Sequence, residues 1–95
     1  GDRVYVCTKS DRLLVKDDPL KEANEIIRIY PGTEVVIIDG PRCDDNSSWW
    51  RVQVPKGIRV NYGGGSSYFT LSQMIEGWVR EGSDNIDRYY ICSTN

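Results

Sequence analysis

The sequence contains no histidine, one phenylalanine, one methionine and only three cysteines in 95 residues. Without histidine, a serine or cysteine nucleophile lacks its usual general base. A structural zinc site takes four nitrogen or sulfur ligands, and three thiols with no CxxC pair and no imidazole fall short of that. No apolar run is longer than four residues, as at Val35–Ile38, so nothing reads as a membrane-spanning helix. An excess of one charge is also missing. Twelve Lys and Arg stand against fourteen Asp and Glu, for a formal charge of −2, and the signs are interspersed. Nucleic-acid binders concentrate basic residues on one face, so no nucleic-acid partner is expected. The paired acids Asp17–Asp18 and Asp44–Asp45 are sequence neighbours, whereas glycosidic chemistry needs two acids from separate segments facing each other. Stretches 44–48 and 84–87 hold oxygen ligands without calcium-loop spacing. Gly63–Gly65 lacks the Lys–Ser/Thr of a phosphate loop. The expectation is a protein that is not an enzyme and carries no metal and no cofactor.

What is present is punctuation. Ninety-five residues support one domain with one modest core, taken here as 1–95. Short β-branched and aromatic runs alternate with turn clusters, the pattern of a small all-β sandwich or barrel. Strands are expected at 3–7, 12–16 and 25–30, with one helical turn starting near Asp18–Pro19. Pro31–Gly32 reads as a turn. The unbroken apolar run that follows reads as a central strand covered on both faces, ending at Gly40–Pro41. Residues 44–48 read as a solvent loop. Residues 55–74, with Gly63–Ser67 at the middle, read as an elongated hairpin with a flexible tip. Gly77 marks a place where a neighbour approaches closely. Further strands are expected at 75–82 and 88–92.

The stretch Trp49–Val54 alternates cleanly. Trp50, Val52 and Val54 share one parity; Trp49, Arg51 and Gln53 share the other. A period of two turns the first set inward and the second outward. Trp49 is therefore expected to be an exposed, rigid contact surface beside a polar loop.

The ordered set Pro31–Gly32–Thr33, Gly40–Pro41, Cys43, Trp49–Trp50, Val52, Gly77–Trp78–Val79, Glu81–Gly82 and Tyr89–Tyr90–Ile91 resembles the bacterial SH3-like domains, over residues ~25–92 and in outline the whole chain. The resemblance implies an SH3-like barrel of about five strongly bent antiparallel strands, here with the elongated hairpin insertion at 55–74. Two departures stand out: that insertion, and the segment Leu13–Asn24, which lacks the Arg and Gly of the family pattern in a region that helps form SH3 ligand grooves. The first Trp of the pair lines such grooves, which here is Trp49.

The resemblance implies a binding or targeting module of a larger bacterial polypeptide, located in the cell envelope or extracellularly. Its expected partner is a peptide or protein segment, including a peptidoglycan peptide. Trp49 is the expected anchor, with Tyr30, Trp78, Tyr89 and Tyr90 in support and Asp44 and Asp45 favouring basic ligands. Tyr62, Tyr68 and Phe69 either stabilise the inserted hairpin or form a contact patch. The alternative is a structural spacer or assembly domain that docks through residues 55–74. For the cysteines, the resemblance implies a bridge from Cys43 to Cys7 or Cys92. Adjacency of the first and last strands in a small barrel permits Cys7–Cys92, and three free thiols, which would fit a cytoplasmic protein, remain the third option.

Overall fold

In the computed structural model, residues 2–44, 47–65, 67–82 and 89–94 are described. Among them are nine strands and no helix: β1 (Arg3–Val6), β2 (Leu13–Lys16), β3 (Glu25–Ile29), β4 (Glu34–Asp44), β5 (Ser47–Val54), β6 (Arg59–Asn61), β7 (Tyr68–Thr70), β8 (Ile75–Arg80) and β9 (Ile91–Ser93). They form one antiparallel sheet in the order β7-β6-β3-β2-β8-β5-β4-β1-β9, strongly curled into a half-barrel. The all-β reading holds. The strand number is nine rather than about five, because the insertion adds two strands and several of the rest are short, three of them three or four residues long outside that hairpin.

The concave face of the sheet holds the core. Val6, Val15, Ile27, Ile29, Val35, Val52, Val54, Val60 and Val79 are fully buried and sit at alternate positions of their strands, as a period of two requires. Each such side chain contributes roughly 1.5–3 kcal/mol relative to exposure. Cross-strand pairing fixes which residues share a face. Trp50 pairs with Val79 and Val52 with Gly77, while Trp49 pairs with Arg80 and Arg51 with Trp78. Trp50 packs against the core with Val52 and Val54, so the alternation in 49–54 divides the two indoles between opposite faces as expected.

Several local readings are corrected. No helical turn forms at 18–22. Asp17 N–H bonds Asn24 O at 3.0 Å, Asn24 N–H bonds the Asp17 carboxylate at 3.1 Å, and Ala23 N–H bonds Leu20 O at 3.2 Å. These close a compact connection between two paired strands, which leaves no length for a helix. β4 does not stop at Gly40–Pro41 but runs on to Asp44. The register against β5 shifts between Asp39 and Arg42, so the Gly–Pro pair is accommodated as a bulge. Gly40 adopts φ +113°, and a Cβ there would lie 2.9 Å from Trp49 O. β4 is interior by position, between β5 and β1, yet covered on one face only: Val35 is buried and Ile38 is 39 % exposed. Residues 44–48 are not simply loop, since Asp44 pairs with Ser47 and Cys43 with Ser48.

The insertion is a hairpin, as read from the sequence. β5 and β8 pair continuously from Trp49–Arg80 to Val54–Ile75, and the chain between them leaves to form β6–β7. β6 pairs with the edge of β3. The tip, however, is tethered. Asn61, fully buried, donates to Gly65 O at 2.7 Å and Ser67 O at 2.8 Å and accepts from Arg12 at 2.7 Å. Glu25 accepts from Gly63 N–H at 3.1 Å. A glycine-rich composition permits a flexible linker, but these side chains hold the described part of the tip to the sheet.

Cys7 and Cys92 form a disulfide that ties β1 to β9, which also pair through Val6–Ile91 and Tyr5–Cys92. The expected bridge to Cys43 is not made. Cys43 is an exposed free thiol on the β4–β5 hairpin, opposite Ser48 and away from the paired termini. A persistent disulfide points to an oxidising compartment.

Candidate functional site

Trp49 is 2 % exposed, which corrects the expectation of an available indole. It does lie on the face opposite the core residues of β5. There its directly paired neighbours are Arg42 on β4 and Arg80 on β8, and directly paired side chains share a face. The loop before β2 and the β2–β3 connection flank the same region. The outcome is a cleft of about 260 Å³, lined by Thr8, Asp11, Arg12, Leu13, Leu14, Lys16, Lys21, Trp49, Arg80 and Tyr90.

Each wall has a local cause. Thr8 Oγ1 donates to Asp11 O at 2.5 Å and shapes the loop after β1. Arg12 bridges from the cleft to the hairpin tip, donating to Asn61 Oδ1 at 2.7 Å and Gly65 O at 2.6 Å. The Lys16 ammonium donates to Lys21 O, pinning the β2–β3 connection. Arg80 Nε donates to Ser47 Oγ at 2.7 Å. The indole N–H of Trp49 is buried and has no hydrogen-bond acceptor among the described residues, in contrast to Trp50, whose indole N–H reaches Glu81 at 3.0 Å. Among the described residues, the cleft offers apolar surface, one carboxylate and a rim of four cations, with no nucleophile–base pair.

Of the residues singled out from the sequence, the structure brings Trp49 and Tyr90 together here. The others lie elsewhere. Trp78 is buried beneath the Arg42 guanidinium, 5.6 Å from the ring centre. Tyr30 lines a shallow groove with Ile58, Arg59 and Tyr68. Tyr89 lines another with Trp50 and Glu81. Asp44 is exposed at the end of β4 and does not line the cleft. Asp45 lies outside the described residues, as do 84–87. Tyr62 and Tyr68 are 70 % and 55 % exposed, and Phe69 is exposed too. Tyr62 contacts Phe69 with ring centres 6.2 Å apart, and Arg59 stacks on Tyr68 at 4.4 Å.

Sequence reasoning missed Arg12, Lys16, Lys21 and Arg80 as a group. Two of these four cations, Lys16 and Lys21, sit in the segment Leu13–Asn24, which stood out in the sequence only for lacking Arg and Gly. No known protein family, curated protein or solved structure matches this chain.

Proposed function

We propose that this domain is a non-catalytic binding module that takes an extended peptide in the cleft beside Trp49. The observation that carries the reading is the concave site itself. It combines an aromatic and aliphatic floor with a few convergent polar groups, the usual composition of ligand sites. The resemblance to bacterial SH3-like domains supports it, since the first tryptophan of the pair borders the groove in that fold. On this reading the curled sheet is an SH3-like barrel whose β5–β8 connection has been extended by the β6–β7 hairpin. The domain then belongs to a larger bacterial polypeptide of the cell envelope, in keeping with the Cys7–Cys92 bridge, and peptidoglycan peptides are the first ligands to test. The test is titration with soluble peptidoglycan stem peptides of the native domain and of Trp49→Phe, with melting temperature recorded for both. Weaker binding at a retained fold supports the reading. Unchanged affinity, or no binding by the native domain, overturns it.

A second reading is favoured by a separate observation. Tyr62, Tyr68 and Phe69 project from one hairpin and are exposed, and clustered exposed aromatics mark contact surfaces. A spacer or assembly domain would dock through them. Replacing all three by Ser in the full-length protein should abolish assembly while leaving peptide binding intact if this second role exists.

A further inference from the structure

We infer that the cleft beside Trp49 recognises a peptide through a carboxylate, with apolar side chains next to it. The inference rests on the binding reading above and adds the charge and chemical class of the ligand.

Among the described residues, four of the chain's twelve Lys and Arg line this cleft, with one acid, Asp11. The chain as a whole has a formal charge of −2, so the rest of the molecule is correspondingly acidic. A concave site lined by one sign of charge concentrates field and attracts the opposite sign. The positive charge at Arg12 and Lys16 is not cancelled internally: their hydrogen bonds end on the uncharged oxygens of Asn61, Gly65 and Lys21, and neither makes an ion pair among the described residues. Those same bonds hold the two side chains in place, which lowers the ordering cost an arriving anion would meet. Trp49 adds a buried N–H with no acceptor among the described residues. Arg12 and Lys16 therefore present charge that no described residue neutralises, and an anionic ligand fits.

The apolar floor of Leu13, Leu14, Trp49 and Tyr90 selects among anions. It asks for an anion attached to hydrophobic groups. Asp11 and the Thr8 hydroxyl, on the same rim, are acceptors for the backbone N–H groups that accompany a peptide carboxylate. Nucleic acids and anionic membranes present extended arrays of charge and bind extended basic surfaces. Here the cations are gathered inside a cleft on an otherwise acidic chain, which favours one carboxylate over a polyanion.

The experiment uses the intact, oxidised domain and two pools of N-acetylated pentapeptides randomised over Gly, Ala, Leu and Ser. One pool ends in a free carboxylate and the other in an amide. Binding is followed by the indole N–H resonance of Trp49 and the backbone resonances of Leu14 and Arg80. The carboxylate pool should shift these signals and bind about tenfold or more tightly than the amide pool, the scale of a charge-assisted contact. Lys16→Gln should weaken carboxylate binding several-fold while the domain stays folded, as its dispersed amide spectrum would show, and added salt should weaken binding further. Equal binding of both pools overturns the inference and leaves the binding module standing. No shift with either pool overturns both. The same shifts with inorganic phosphate or phosphatidylglycerol vesicles, while the carboxylate pool stays silent, reassign the cleft to another anion and also overturn it.

Discussion

Trp49 faces Arg80 across the β5–β8 ladder, on the side of the sheet opposite the core. On its other flank Trp49 pairs with Arg42, and the indole is buried between these strands although it is turned away from the core. The neighbouring indole of Trp50 faces Val79 instead and packs against the core. Two adjacent residues of one type thus serve two faces, one lining a cation-rimmed cleft and the other packing against the core of the curled sheet.

Trp49→Ala should destabilise the domain by about 3–5 kcal/mol, the usual cost of removing a large buried aromatic. Trp49→Phe should cost only about 1–2 kcal/mol, because the smaller ring also deletes the unpartnered N–H. Urea denaturation of both variants checks the pair. A cost well above about 2 kcal/mol for Trp49→Phe would mean that the N–H is satisfied in solution.

Gly77→Ala should cost about 2 kcal/mol through overpacking. A Cβ there would collide with Val15 Cγ1 and lie 2.9 Å from Lys16 O and 3.2 Å from Ile26 Cδ1, where β2 crosses β8. Gly64→Ala, whose Cβ would meet nothing nearer than Arg28 Nη1 at 3.9 Å, should stay within about 0.5 kcal/mol of the native protein. Chemical denaturation midpoints compare the two.

Asn61→Ala should lower stability by about 2–3 kcal/mol, since it strips partners from buried or half-buried polar groups. The substitution removes two bonds that hold Gly65 O and Ser67 O and one that holds Arg12. Amide exchange at Gly63 and its neighbours should accelerate more than in the core strands. Uniform acceleration would show that Asn61 does not specifically anchor the tip.

Reducing the Cys7–Cys92 bridge should lower the unfolding free energy by about 4 kcal/mol, as expected for a cross-link spanning 85 residues. Cys43→Ser should leave it within about 0.5 kcal/mol, because that thiol is exposed and unbridged. Denaturation with and without reductant on both proteins separates the contributions.

The sequence by itself determined the elements whose cause is local. Alternation in Trp49–Val54 assigned faces, Pro31–Gly32 marked a turn, and residues 55–74 announced a hairpin inserted between two strands that pair without it. The lack of a side chain at 77 foretold a close approach. These are short-range properties of backbone sterics and side-chain period, so they can be read along the chain. Only the tertiary structure decided what covers what. Whether Trp49 is hidden depends on β2, β4 and β8, which arrive beside it from elsewhere in the sequence. Which cysteines meet depends on the strand order that brings β1 beside β9. The cation cluster depends on the same curl, which gathers Arg12, Lys16, Lys21 and Arg80 around one indole. Those outcomes rest on long-range packing, where burial and charge are set by neighbours that no local pattern encodes.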